Sequence, residues 1–135
     1  MKRYFVDTNV FLRYLVNDES DHADRVEKLL DKAEKGQIKL VTGPPVFFEL
    51  AWTLKSFYGM NRDEIYKCLL SIAGIKGLDI ADCEIVIETL EVYKKYTVDF
   101  ADAYISVQSK KLDTNGVVTF NKKHFNKLDL NLYAF

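Results

Sequence analysis

Asp7, Glu49 and Asp102 are the carboxylates whose settings invite chemistry, with Asp99 three residues before the last of them. Asp7 directly follows the apolar run Tyr4-Phe5-Val6, and polar residues at strand exits are where ligands bind in open parallel sheets. The same position equally suits a helix N-cap, which Asp7, Thr8 or Asn9 can each fill. Glu49 lies within Pro45-Val46-Phe47-Phe48-Glu49-Leu50-Ala51-Trp52, where an ionised carboxylate is costly without a partner and a cation would supply one. Its other reading is a solvent-facing residue of an amphipathic helix. Asp99 and Asp102 form Asp-x-x-Asp at a helix start, where carboxylates also complement the helix dipole, and Asp99 is the better placed as the cap. Asp102 points beside the strand ends if Ala101 and Ile105 pack inward.

No His or Cys pair has metal-ligand spacing, and His22 and His124 stand apart, which argues against zinc. Oxygen-only ligation points instead to Mg²⁺ or Mn²⁺. Carboxylates converging on such ions suit phosphodiester hydrolysis, because the metal polarises the phosphoryl oxygen, activates water and stabilises the leaving alkoxide. The sequence has no Gly-rich phosphate loop and no Gly-x-Ser-x-Gly elbow, and Asp7 lacks the second aspartate of an Asp-x-Asp phosphotransferase, so those classes drop away.

The elements that must hold these groups alternate between strand and helix. Tyr4-Phe5-Val6 reads as a buried strand, followed by a helix with Val10, Phe11, Tyr14 and Leu15 inward. Ser20 opens a second helix carrying Ala23, Val26, Leu29, Leu30 and Ala33, with Gly36 as its stop. A strand from Ile38 to Thr42 breaks at Gly43-Pro44-Pro45, and a helix from about Val46 to Tyr58 ends at Gly59. Asn61 and Glu64 form a capping-box variant for a helix burying Ile65, Cys68, Leu69 and Ile72, with Leu78 to Ile80 a third strand. Asp82 caps a helix with Cys83, Val86, Ile87, Leu90 and Tyr93 inward, and Asp99 caps one carrying Ala103, Ile105, Val107 and Leu112. Gly116-Val117-Val118-Thr119-Phe120 reads as a buried strand, then comes a basic turn after Asn121, and Leu130 to Phe135 reads as a last edge strand. The pattern is α/β with a largely parallel sheet.

The bulk numbers bound the rest. At 135 residues with 48% hydrophobic content, one domain spanning 1–135 is expected, and no linker or repeat divides it. Nineteen basic against twenty acidic residues leave no general field for a polyanion, so any nucleic-acid contact must be local. The apolar runs are far too short for a membrane span, and the charged start of the chain has no secretory pattern, so a cytoplasmic location is expected. Cys68 and Cys83 read as reduced packing residues.

Phe5-Val6-Asp7-Thr8-Asn9, Glu49 in its apolar helix, Val98-Asp99-Phe100-Ala101-Asp102-Ala103 and Val118-Thr119-Phe120-Asn121 together resemble the PIN-domain nucleases, most closely the VapC-type toxin ribonucleases. The likeness spans the chain and rests on the order and spacing of motifs that are each weak alone. It implies a three-layer α/β/α sandwich with a central, mostly parallel sheet of four or five strands. It carries the acidic ligands onto Asp7, Glu49 and Asp102, with Asp99 auxiliary. Family members often place a fourth acid where this chain has Asn121, whose amide oxygen can ligate or hold a water without adding charge. Thr8, Asn9 and Thr119 would then support the carboxylates, although the two threonines equally suit ordinary strand-end hydrogen bonding.

The activity so implied is Mg²⁺- or Mn²⁺-dependent hydrolysis of RNA, with Lys122, Lys123 and Arg13 as candidates for gripping phosphate. If the chain is a toxin, the resemblance also implies a homodimer and a small antitoxin protein whose tail occupies the acidic pocket. Two rivals stay open: a noncatalytic PIN domain that binds RNA or protein, and a housekeeping RNA-processing nuclease using the same carboxylates.

Overall fold

The computed structural model describes residues 1–16 and 20–135. Residues 17–19 and the side chain of Ser20, with the capping role expected of it, lie outside the described residues. Two compact units divide the chain, Met1–Cys83 and Glu84–Phe135.

The first unit carries all three described strands. Its elements are β1 (Arg3–Phe5), α1 (Thr8–Val16), α2 (Ser20–Glu34), β2 (Lys39–Thr42), α3 (Pro44–Ser56), α4 (Arg62–Ala73) and β3 (Leu78–Ile80). Helices separate successive strands, which is the connection parallel pairing requires. β2 sits centrally, paired in parallel with β1 and with β3. β1 is therefore an edge strand here, and Tyr4 and Phe5 are exposed while Val6, just past the strand, is buried. That corrects the fully buried strand expected of Tyr4-Phe5-Val6. The Val6 amide still donates to the Val41 carbonyl at 2.8 Å, and the buried Thr42 hydroxyl donates to the Val6 carbonyl at 3.2 Å. These two bonds tie the exit of β1 to β2.

Helix faces follow the 3.6-residue period with some changes of phase. α1 buries Thr8, Phe11 and Leu12, whereas Tyr14 is exposed and its hydroxyl meets Ser71 Oγ at 3.3 Å. α3 begins two residues earlier than expected, because Pro44 and Pro45 occupy the first helical positions, where a missing N–H costs nothing. Val46, Phe47, Leu50 and Leu54 form its buried stripe. α4 carries the full capping box: Glu64 N–H donates to Asn61 Oδ1 at 2.9 Å, and Asn61 N–H to Glu64 Oε1 at 3.1 Å. Cys68 is half-buried, and burial pushes its thiol up from the ordinary value.

The second unit is helical, with α5 (Cys83–Lys95), α6 (Phe100–Lys111), the short α7 (Lys122–Phe125) and a 3₁₀ turn at Asn126–Leu128. Val86, Thr89, Leu90 and Tyr93 of α5 are buried, but Cys83 and Ile87 are exposed, so Cys83 is not the packing residue expected. Asp82, ahead of α5, adopts φ 53°, the left-handed conformation rather than the extended one of a capping residue. Lys111 of α6 holds Glu84 and Glu88 of α5 at 2.8 and 2.9 Å. The hydrogen bond from Lys111 keeps the Glu84 carboxyl below its ordinary range.

The run Gly116–Phe120 contributes one parallel bridge, Val117 to Leu132, rather than a full ladder. Val117 N–H donates to the Asn131 carbonyl and Tyr133 N–H to the Val117 carbonyl, both at 2.9 Å. Beyond that point Val118 and Phe120 are exposed, and the Phe120 ring packs on Phe135 at 4.9 Å between centroids. The chain is thus α/β, mostly helical, with a parallel sheet of three described strands. No helix among the described residues is long and apolar enough to cross a membrane.

Candidate active site

In the first unit the chain leaves β1, turns at Asp7 and enters α1 at Thr8. Asp7 occupies the position just ahead of the helix, its carbonyl accepting the Val10 N–H at 3.2 Å. Its carboxylate Oδ1 accepts the Thr8 N–H at 2.8 Å. The buried Thr8 hydroxyl donates to Glu49 Oε2 at 3.1 Å. One threonine therefore holds both acids, through its backbone N–H and its side chain, although 41 residues separate it from Glu49. Packing of α1 against α3 sets this approach. Thr8 is the first residue of α1, so this bond falls short of the second or third helical N–H that a capping side chain would reach, and the carboxylate keeps further lone pairs for a ligand.

Glu49 is exposed, which removes the burial cost that its apolar surroundings suggested. The buried stripe of α3 leaves Pro45, Glu49 and Trp52 on the outer side, with Trp52 69% exposed. The case for Glu49 thus rests on its bond from Thr8. Asn9 is exposed and Arg13 half-exposed on the same helix.

In the second unit Asp99 takes the N-cap position of α6 with extended backbone, φ −66° and ψ 153°, and spends no side-chain bond on the cap. Asp102 lies one turn on. The inward face of α6 is Phe100, Ala103, Tyr104, Ser106 and Val107, whereas Ala101 is exposed and Ile105 is 43% exposed. The orientation argued for Asp102 from inward Ala101 and Ile105 therefore does not hold. Its side chain is 16% exposed, and Oδ2 meets His124 Nδ1 at 3.1 Å. His124 is a neighbour that sequence reasoning missed, because 22 residues separate the pair and no spacing motif connects them. Thr119 Oγ1 accepts the Asn121 N–H at 2.9 Å, a local turn bond of the ordinary kind. Asn121, Lys122 and Lys123 are exposed around the start of α7.

Within either unit, no three His, Cys, Asp or Glu side chains of the described residues gather into a metal cage. The oxygen donors nevertheless fit a hard, hydrated ion. Mg²⁺ keeps several waters and is usually bound through one or two carboxylates, and Asp7 and Glu49 are exposed and joined through Thr8.

A family model described as PIN domain matches residues 4–130. The chain belongs to the PIN-domain family. It is also 27% identical over 123 residues to a VapC ribonuclease of Aquifex aeolicus (strain VF5), a match covering 91% of this chain and 90% of that protein. Membership over this span includes every acidic residue singled out above, from Asp7 to Asp102, together with Asn121.

Within this PIN domain, Thr8→Val tests whether the threonine hydroxyl that donates to Glu49 matters. The swap keeps the volume but removes the donor to Glu49, and loss of such an orienting partner costs roughly 10–100-fold in metal affinity or activity. Thr8→Ser, which restores the hydroxyl, should recover most of the Mn²⁺ affinity measured by calorimetry. Equal affinity in Thr8→Val and the unmodified protein would remove Thr8 from the site.

Proposed function

We propose that this chain is a divalent-metal-dependent ribonuclease and the toxin of a toxin–antitoxin pair. The observation that carries the reading is the pair of exposed carboxylates, Asp7 and Glu49, held by Thr8 at the exit of the first parallel strand. Support also comes from the family and from the similarity to a VapC ribonuclease. Asp7, Glu49 and Asp102 would hold Mg²⁺ or Mn²⁺, with Asp99 auxiliary and Asn121 a weak or water-mediated ligand.

The ion would supply Lewis-acid stabilisation of the phosphoryl and leaving oxygens in RNA hydrolysis. The protein's own part is positional. Thr8 fixes the orientation of both Asp7 and Glu49, so little side-chain motion is left to lose when a ligand arrives. His124 fixes Asp102 in the same manner. Asn9 and Thr119 are supporting groups in this reading, and Lys122, Lys123 and Arg13 contact phosphate. A homodimer, a small antitoxin protein and a cytoplasmic setting complete the proposal.

The test is incubation of purified protein with structured and single-stranded RNAs in Mg²⁺, Mn²⁺ or EDTA. Discrete products in metal and none in EDTA are expected. Intact RNA under every condition would favour a noncatalytic PIN domain that binds RNA or protein.

A further inference from the structure

In the second unit an exposed aromatic face stands beside the histidine that holds Asp102. The parallel bridge from Val117 to Leu132 sets two extended runs side by side, so Phe120 and Phe135 each lie three residues beyond it, in register. Side chains alternate sides along an extended chain. Val117 and Thr119 are half-buried whereas Val118 and Phe120 turn outward, and Tyr133 and Phe135 are exposed on the neighbouring run. Phe120 is 89% exposed, the barest large apolar side chain of the described residues. Its ring meets that of Phe135 at 4.9 Å and 50°, a tilted contact that leaves ring surface open on both.

Basic groups follow at once along the chain. Lys122 and Lys123 are exposed, and neither forms an ion pair with another described residue. His124, next on the same short helix, meets the Asp102 carboxylate at 3.1 Å. Bare rings, two ammonium groups and the partner of a candidate metal ligand thus occupy the single stretch from Phe120 to His124.

This chemistry selects an occupant. Aromatic side chains stack on unpaired bases regardless of sequence, while neighbouring cations track the phosphate backbone. A protein partner seated on the rings would have to bury the lysines, a residue type depleted from protein–protein interfaces. A small inorganic anion would engage the lysines and leave the rings bare.

We infer that Phe120 and Phe135 form a stacking platform for unpaired bases of the RNA substrate, with Lys122 and Lys123 contacting the adjoining phosphates. This rests on the ribonuclease reading and deepens it, because the substrate must be single-stranded where it crosses the platform.

The experiment measures binding of a short fluorescein-labelled single-stranded RNA by anisotropy in EDTA across a salt series. The unmodified protein is compared with Phe120→Leu, Phe120→Trp and the double variant Lys122→Ala/Lys123→Ala. Phe120→Leu keeps an apolar side chain and removes the ring, and losing one stacked base should raise Kd roughly 5-fold or more. Its slope of log K against log salt should stay that of the unmodified protein, since no phosphate contact is lost. Phe120→Trp should restore tight binding. The lysine variant should instead flatten the slope by about 0.7 for each phosphate no longer neutralised. An abasic oligonucleotide of the same length should bind the unmodified protein and Phe120→Leu equally. Both Phe120 variants should melt with the unmodified protein, as substitutions of exposed side chains do.

Unchanged Kd in Phe120→Leu, in a protein that binds and cleaves RNA, would overturn the platform and leave the ribonuclease reading standing. A melting temperature several degrees lower in Phe120→Leu would overturn it by making the ring a packing residue. Loss of self-association in Phe120→Leu with RNA affinity intact would overturn it too, by assigning the face to a second copy of the chain. Failure of the unmodified protein either to bind or to cleave RNA would sink the ribonuclease reading, and the platform with it.

Discussion

Asp7→Asn is expected to lower metal-dependent RNA cleavage by at least about 100-fold, since even the partners that merely orient a ligand are worth roughly 10–100-fold. The substitution is nearly isosteric and removes only the charge. Asparagine ranks with aspartate at a helix start, and its amide oxygen can still accept the Thr8 N–H now received by Asp7 Oδ1. The helical circular dichroism and melting temperature should therefore stay close to those of the unmodified protein. Asp7→Ala would be a poorer probe, because it removes the acceptor of the Thr8 N–H together with the charge. Cleavage by Asp7→Asn at the unmodified rate, in a preparation free of contaminating nuclease, would remove Asp7 from the reaction.

The largest expected effect on stability falls at Gly77. This residue has φ 89°, where an L side chain is strained. A Cβ built there would collide with the backbone carbonyl of Ala33. The obstacle is main chain at the end of α2 and cannot swing aside as a flexible side chain would. Gly77 is also fixed on its other side, its carbonyl accepting the Leu40 N–H at 3.3 Å beside the β2–β3 pairing. Left-handed strain costs about 1–3 kcal/mol, and forcing atoms into filled space a further 1–3 kcal/mol or so. Gly77→Ala should therefore cost roughly 3 kcal/mol or more, a large share of the 5–15 kcal/mol typical of a folded domain. Thermal unfolding should show a melting temperature lower by about 10 °C. A melt unchanged within a degree or so would mean that the turn joining α4 to β3 relaxes freely.

Local signals were the most legible in the sequence. The Asn61–Glu64 box and the parallel alternation of strand and helix could be read directly, since neighbours along the chain determine both. Faces set by tertiary packing were harder. In α6 the stripe Phe100, Ala103, Tyr104 and Val107 has ideal helical spacing, yet Ile105 also invites burial, and only the packed structure chooses between them. Tyr4 and Phe5 have the composition of a central strand and lie exposed on an edge, because composition reports burial without reporting the number of neighbours.

The candidate residues were visible by type, but the reasons for some were not. Glu49 stood out through supposed burial and is instead exposed, since apolar neighbours along a helix need not cover a side chain. Its true local feature is the bond from Thr8, which no sequence spacing announces across 41 positions. His124 against Asp102 is a pairing of the same kind.

The carboxylates organised around Thr8 are expected, above all, to hold a divalent cation. Titration of the purified protein with Mn²⁺, followed by electron paramagnetic resonance of the free ion, tests this without any RNA present. The predicted result is saturable binding by the unmodified protein, competed by Mg²⁺ and weakened at least about 10-fold in both Asp7→Asn and Glu49→Gln. Binding of equal strength in all three proteins, or none in the unmodified one, would contradict it.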